Sequence, residues 1–255
     1  SGIIKDGCTL VLAEQREEVD GVMLAAAAER GARVLREGVD LEVVARQVAV
    51  GGQVLDLRTS GGLYTGIPLP LHGEHQARNA LLALSATEAL LRSGGALSAE
   101  VVEAAFADAT SPGRLEVVRS SPTVLVDAAH NPAGVDALVA AVQEAFAFGR
   151  LVGVVGVMED KDAEQILAGL EPLLDEVVVT RSSSMRSLDV EELERVAVEV
   201  FGPDRVHAAE RLDAAVNRAV ELAEGANEGA LTAAGVLVTG SVVLAAETRT
   251  LFGRP

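Results

Sequence analysis

The sequence contains no tryptophan, one tyrosine, five phenylalanines and one cysteine, and only Lys5 and Lys161 of its basic residues are lysines. Each scarcity excludes something. Single-stranded nucleic acid is held by stacking bases on aromatic rings, and a chain with 2% aromatics has almost no material for such a platform. A lone Cys8 rules out an internal disulfide framework and a cysteine-based zinc site, and it suits a reducing compartment. Positive charge is also short: the formal net charge is −17 and the pI about 4.6, which disfavours a nucleic-acid groove or an anionic membrane surface as partner. No window approaches the roughly 20 apolar residues of a membrane-spanning helix. The N-terminus lacks the charged-then-apolar pattern of a secretory signal, so the expected location is cytoplasmic. Neither lysine follows a glycine, so there is no G-x-x-x-x-G-K-[ST] phosphate loop; a G-x-G-x-x-G after a strand and a G-x-S-x-G elbow are missing too.

What remains is a chain rich in aliphatic residues. With 49% hydrophobic residues over 255 positions it has enough to bury one large core or two modest ones. From about residue 120 onward, short β-branched runs alternate with amphipathic stretches, the pattern of a parallel sheet covered by helices. The predicted strands are Val124–Val126, Leu151–Val157, Glu176–Thr180, a short one at Val206, and Val236–Val238. Between them lie helices around Val135–Phe146, near 162–170, from an Asp189/Glu192 capping box to about Val200, near 211–224, and a last one to about Leu251. A loop rich in glycine, alanine and asparagine precedes the last strand. The expected fold of residues 113–255 is a Rossmann-like, doubly wound α/β domain.

Residues 1–112 read differently. A strand at Thr9–Leu12, a helix over Val22–Leu35, β pieces over 41–70 turned at Gly51-Gly52 and Gly61-Gly62, and helices over Glu74–Leu91 and Ser98–Ala107 do not make a complete α/β domain. The segment is expected to be the tail of a larger domain, joined to the next at Ser111-Pro112-Gly113. The opening Ser1-Gly2-Ile3-Ile4-Lys5, without an initiator methionine, points the same way, to a fragment.

The chemistry-bearing residues collect at predicted strand ends. Asp127-Ala128-Ala129-His130-Asn131-Pro132 places an acid, an imidazole and an amide where a strand passes into a helix, the edge at which open α/β sheets bind ligands and helix N-termini meet anions. Asn131 and Pro132 suit a helix cap and first turn, which leaves Asp127 and His130 for function. Met158-Glu159-Asp160-Lys161-Asp162, Arg181 to Ser184 and Thr239-Gly240-Ser241 follow the other strands. The acidic cluster alone reads equally as a solvated cap with a local ion pair, and the three serines as plain loop. In the front part, His72-Gly73-Glu74-His75 opens a helix in which Asn79 sits against its own propensity. The two histidines have no matching carboxylates, so no metal site is expected. Arg114, just past the Pro112-Gly113 hinge, is either a phosphate contact or surface charge.

Taken together, Gly2-Ile3-Ile4-Lys5, His75-x-x-x-Asn79-Ala80, Pro112-Gly113-Arg114, Asp127-x-Ala129-His130-Asn131-Pro132, Gly156-Val157-Met158-x-Asp160-Lys161-Asp162 and Val238-Thr239-Gly240-Ser241 stand in an order and spacing that resembles the Mur ligase superfamily, in particular its folylpolyglutamate synthase / dihydrofolate synthase branch. The resemblance implies the rear part of a P-loop central domain over 1–112 followed by a C-terminal ligase domain over 113–255. It implies an ATP- and magnesium-dependent reaction in which a carboxylate of dihydropteroate or folate becomes an acyl phosphate and L-glutamate displaces the phosphate. In that family Asn79 would contact adenine, Arg114 the nucleotide phosphates and Asp127 the ribose. His130 and Ser241 would place the glutamate, and Lys161, with Asp160 and Asp162, would belong to the interdomain face, with His130 and Lys161 as the catalytic candidates. The P-loop, the magnesium ligands and most of the pterin site belong to the family's front half. Its carbamylated lysine would immediately precede Ser1, and Lys5 is not it. The chain alone is therefore expected to be inactive, completed by that N-terminal half of the same protein, and monomeric. Two other readings stay open. A peptidoglycan Mur ligase shares the chemistry but usually carries an Asp-Tyr-Ala-His type motif where this chain has Asp127-Ala128-Ala129-His130, and a non-catalytic binding module has no use for Asn79 and Arg114.

Overall fold

A computed structural model describes residues 2–92, 95–225 and 233–254. The glycine-, alanine- and asparagine-rich loop expected before the last strand falls largely on 226–232, outside the described residues. The chain divides between Thr110 and Ser111 into two compact units.

The first unit opens with strand β1 (Thr9–Leu12), helix α1 (Glu17–Glu29) and strand β2 (Arg33–Arg36). β1 and β2 pair in parallel, Thr9 opposite Arg33 and Leu12 opposite Arg36. The helix expected over Val22–Leu35 is thus displaced and shortened. Glu17, Glu18 and Asp20 favour its earlier start by facing the positive end of the helix dipole. Its end is set at Gly31, whose φ of +58° lets the Ala32 N–H reach back to the Ala27 carbonyl at 2.9 Å. Beyond it Val34 packs into the cluster around Ile4, Leu10 and Ala27, whereas Leu35 is buried among Leu41, Leu55 and Leu81. Successive side chains entering different cores is the two-residue period of a strand, not a helix.

Strands β3 (Glu42–Ala49), β4 (Gly52–Arg58) and β5 (Leu63–Leu69) form an antiparallel meander in the order β3-β4-β5. Val50-Gly51 turns the first hairpin and Thr59–Gly62 the second, where the glycine pairs predict turns. Pro68 lies within β5 opposite Val54, a position tolerable because β5 is an edge strand of this sheet. Helix α2 (Glu74–Arg92) buries Ala77, Ala80, Leu81 and Leu84, spaced as one helical face, against Leu55, Leu57, Ile67 and Leu69. Helix α3 (Ala99–Ala107) begins at Ser98, whose hydroxyl accepts from the Val101 N–H. The buried face of α2 continues to Glu88, which accepts from the Tyr64 hydroxyl at 2.5 Å; the same hydroxyl accepts from the Leu97 N–H at 2.9 Å. Burial, reinforced by the Glu88 carboxylate, pushes the Tyr64 phenol up to about 12.

The second unit contains strands β6 (Glu116–Ser120), β7 (Thr123–Val126), β8 (Phe148–Val155), β9 (Glu176–Val179), β10 (Val206–Ala208) and β11 (Ala233–Thr239) in the order β10-β9-β8-β11-β7-β6. Every neighbouring pair is parallel except β6 with β7. Helices α4 (Pro132–Ala145), α5 (Ala163–Leu170) and α6 (Val190–Phe201) cover one face, burying Leu125, Leu151, Val155 and Leu237. Helices α7 (Leu212–Gly225) and α8 (Val242–Leu251) cover the other, burying Val124, Val126, Val152, Val154, Val236 and Val238. Odd and even residues of each strand feed opposite cores, which is why these strands read as unbroken apolar runs. Sequence reasoning misses β6: it is an edge strand in which Glu116, Arg119 and Ser120 interrupt the apolar pattern and only Val118 is buried. It also begins β8 three residues late, because Arg150 breaks the apolar run; Arg150 is paired across the sheet with Glu176. The capping box at α6 is half formed. Asp189 accepts from the Glu191 N–H at 3.0 Å, while Glu192 lies 3.9 Å from Arg195.

In the first unit, Arg78 on α2 donates to both oxygens of Glu37, at 2.6 and 3.0 Å, and the Glu14 N–H adds a third bond at 3.0 Å. The Arg78 hydrogen bond holds the Glu37 carboxyl below its ordinary 4.5, against the opposing effect of burial. A depressed acid stabilises the folded state fully above its unfolded value and loses that contribution as pH falls through the folded one. The stability difference between the wild type and E37Q is therefore expected to be constant from neutrality down to pH 4.5 and to shrink below it, measured by denaturant unfolding across pH. A difference unchanged to about pH 2 contradicts this assignment.

Candidate functional site

Chain order and sheet order diverge at one place in the second unit. From β8 the chain winds outward through β9 to β10, then returns to lay β11 on the other flank of β8, between it and β7. The crevice at the carboxyl ends of β8 and β11 is thus a topological switch point, where open α/β sheets bind ligands. Backbone hydrogen bonds draw the strand ends together there: Asp127 N–H to Val238 O at 3.0 Å, Gly156 N–H to Thr239 O at 3.2 Å, and Gly240 N–H to Ala129 O at 3.0 Å. Gly240 has φ +109°, and a Cβ on it would sit 2.7 Å from the Gly156 carbonyl oxygen, so no other residue fits at this approach.

Two helices begin at this seam. Asn131 caps α4 by accepting from the Gly134 N–H at 2.8 Å, with Pro132 as first helical residue. Ser241 caps α8, its hydroxyl accepting from the Leu244 N–H at 3.0 Å. Ser241 is buried, and its hydroxyl hydrogen is not used by the cap. Because Gly240 is bonded to Ala129, both helix N-termini open beside each other, a setting in which unpaired N–H groups and aligned peptide dipoles favour an anion. His130 lies between the Ala129 bond and the α4 cap. Its Nδ1 is 2.9 Å from the Ala128 carbonyl oxygen. A carbonyl only accepts, so Nδ1 carries the hydrogen and Nε2 of the neutral ring is left as a proton acceptor.

Asp127 is only 7% exposed, and both of its carboxylate oxygens take backbone N–H bonds, from Ala129 at 2.7 Å and from Leu115 at 2.8 Å. Burial raises its carboxyl above the ordinary 3.8, although those two donors and the charge of Arg114 pull the other way. The bond to Leu115 matters because Leu115 has φ +46°, a left-handed conformation that costs a non-glycine residue on the order of 1–3 kcal/mol. Asp127 and the Ala128 N–H, which donates to the Gly113 carbonyl at 2.8 Å, hold the strained turn that carries Arg114. The Arg114 backbone N–H donates to the Ser111 carbonyl at 3.1 Å, while its side chain is exposed and makes no hydrogen bond or ion pair with any described residue.

The loops after β8 and β9 are zipped to each other. Met158 bridges Ser187 in antiparallel fashion, the Glu159 N–H donates to Arg186 O at 2.9 Å, and the Leu188 N–H to Val157 O at 2.8 Å. Asp160 is thereby set between Lys161 at 3.2 Å and Arg186 at 2.9 Å, and the bond from Lys161 holds its carboxyl below the ordinary range. Asp162 caps α5 through the Gln165 N–H. Arg186 is the residue of this group that sequence reasoning passes over, since it follows serines read as plain loop. Those serines instead fix the loop: Ser182 is buried against Ser187, and Ser183 donates from both N–H and hydroxyl to Glu247 on α8.

The second unit thus collects Arg114, Asp127, His130, Lys161 and Ser241 at the carboxyl edge of its sheet. Asn79 belongs to the first unit, exposed on α2, with its amide donating to Gln76 Oε1 at 3.2 Å. Among the described residues no group of three or more His, Cys, Asp and Glu is placed to hold a metal ion, and no helix is long and apolar enough to cross a membrane.

A largely parallel sheet with a switch-point crevice flanked by two helix N-termini, an imidazole and a serine defines a doubly wound α/β domain, and residues 113–242 match the Mur ligase glutamate ligase domain. The chain belongs to the Mur ligase family. Within that family it is 50% identical over 252 residues to the dihydrofolate synthase/folylpolyglutamate synthase of Mycobacterium tuberculosis, covering 96% of this chain and 52% of that one. The crystal structure of Mycobacterium tuberculosis folylpolyglutamate synthase complexed with ADP and AMPPCP superposes with a TM-score of 0.93 at 51% identity, over 97% of this chain and 55% of that chain. The folylpolyglutamate synthase of Thermotoga maritima superposes at 0.77 with 27% identity, over 99% and 56%. The chain spans about half the length of the relatives it matches.

Replacing Asp127 with alanine leaves two buried N–H donors, of Leu115 and Ala129, without their acceptor. D127A is expected to lower unfolding stability by about 2–4 kcal/mol at neutral pH. Because the folded carboxyl is raised, the folded state binds the proton more readily than the unfolded one, so the wild type's advantage grows as pH falls toward 3.8. Denaturant titrations of both proteins check this, and an advantage that shrinks over the same interval contradicts it.

Proposed function

We propose that this chain is part of a cytoplasmic, ATP-dependent amide ligase that joins L-glutamate to folate, to dihydropteroate, or to both. On this reading residues 1–112 are the rear of the central ATP-binding domain and 113–255 the ligase domain. The observation that carries it is the pair of helix N-termini at Asn131 and Ser241, opening beside His130 at the switch point between β8 and β11. Glutamate brings carboxylates and an ammonium to such a site. A carboxylate suits the free N–H groups of α4 and α8 and the hydroxyl hydrogen of Ser241. The amine must lose a proton to attack, and His130 Nε2 is the acceptor left available by the Nδ1 bond to Ala128.

The residues present fit a nucleotide in part. In the second unit Arg114 offers an unengaged guanidinium to phosphate from the turn that Asp127 holds; Asn79, in the first unit, is by the family resemblance alone the residue for the adenine. For magnesium, the described residues supply no group of three or more His, Cys, Asp and Glu placed to hold it. In the reaction, an acceptor carboxylate oxygen bonds to the γ-phosphorus as the bond to ADP breaks. The glutamate nitrogen then bonds to the acyl carbon, phosphate departs, and the amine's proton passes to His130. Holding two anionic reactants in contact while charge moves to phosphate requires fixed donors and cations, which Ser241, Arg114 and Lys161 provide.

The test is a glutamate-ligation assay on the full-length protein with ATP and magnesium, offering dihydropteroate, tetrahydrofolate and a UDP-muramoyl peptide as acceptors. Glutamate transfer to at least one pterin is expected, with H130A lowering kcat/KM by about 10²-fold. Transfer to the muramoyl acceptor alone, or none, overturns the reading.

A further inference from the structure

Arg114 stands in a turn with two carboxylates near it, and both are already engaged. Asp127 is taken by the N–H groups of Leu115 and Ala129. Glu116 Oε2 is shared: it accepts from the Gly113 N–H at 2.9 Å and from Arg249 Nε at 2.8 Å. The Glu116–Arg249 pair is largely enclosed, at 20% and 18% side-chain exposure, so water screens it weakly. Glu116 is two residues from Arg114. Its carboxylate rests on the N–H of Gly113, the residue before Arg114, and once released from Arg249 it would compete with any external anion for the guanidinium. Arg249 lies on α8, two turns beyond the Ser241 cap.

We propose that Arg249 is a positioning residue: by binding Glu116 it keeps that carboxylate on the Gly113 N–H and off Arg114, leaving Arg114 free for an anionic group of the nucleotide. The inference rests on the proposed contact between Arg114 and nucleotide phosphate. It also gives α8 a second task. The helix whose N-terminus faces the switch-point crevice carries, at its other end, the cation that keeps the Arg114 turn in its binding-ready arrangement.

The test is ADP affinity of the full-length protein by calorimetry at fixed ionic strength. R114M and R249M are each expected to weaken ADP binding about 10-fold. The double variant E116Q/R249M, which removes the competing charge but keeps an amide oxygen for Gly113, is expected to return to within about threefold of wild type. A merely structural role for Arg249 does not produce that recovery, since the double variant lacks the ion pair as completely as R249M does. Wild-type affinity in a folded R249M, or a double variant no tighter than R249M, overturns the proposal. If R249M does not fold, E116Q alone decides: it must bind ADP at least as tightly as wild type, and binding weaker by about 10-fold overturns the proposal. An unchanged affinity in R114M removes the nucleotide contact itself and the inference with it, whereas weakening in R114M with none in R249M removes the inference alone.

Discussion

The hydrogen bond from Gly240 N–H to the Ala129 carbonyl is the contact on which the second unit's geometry turns. It joins the end of β11 to the end of β7, and Gly156, bonded to Thr239, ties in β8. Without it the caps at Asn131 and Ser241 would be two ordinary helix starts; with it they open on one crevice. The approach is close enough that a side chain at Gly240 would collide with the Gly156 carbonyl. The Thr239-Gly240-Ser241 tripeptide therefore combines a strand end, a passage only glycine can make, and a helix cap in three consecutive residues.

A second constraint is electrostatic. A protein with net charge −17, if it takes anionic reactants as proposed, has to prevent its own carboxylates from filling the site. The structure does this locally. Asp127 is spent on two backbone donors, Glu116 on Gly113 and Arg249, Asp160 on Lys161 and Arg186, and Asp162 on the α5 cap. The cation of the Arg114 turn stays clear of ion pairs, while the acids around it already have partners. Asp127 shows the same economy from the other side, since the carboxylate buried behind the site also stabilises the left-handed Leu115 that shapes it.

How much of this was legible in the sequence follows from what each residue does locally. The buried parallel strands stand out because both faces of the sheet are covered, so their apolar runs are unbroken. The caps at Asn131 and Asp189 are short-range chemistry, visible within three residues. Elements whose form depends on distant partners are not visible in the local sequence. The end of α1 turns on Gly31, and the strand that follows is indistinguishable in sequence from more helix because Val34 and Leu35 are apolar in either conformation. β6 is defined only by pairing with β7, and Arg150 fits inside β8 only because Glu176 stands on the next strand. Ser241, Asp127 and His130 were readable as candidates from their positions at strand ends. Arg186 and Arg249 were not, because their relevance lies in Asp160 and Glu116, separated from them by long stretches of sequence.

The central claim is that the crevice at Ala129-His130 and Gly240-Ser241 receives the amino acid. The most direct measurement is a crystal structure of the full-length protein with L-glutamate and a non-hydrolysable ATP analogue. The account predicts a glutamate carboxylate within hydrogen-bonding distance of the α8 N-terminus and Ser241, with the amine toward His130 Nε2. Glutamate bound at another edge of the sheet, with His130 and Ser241 making no contact to it, would contradict the account.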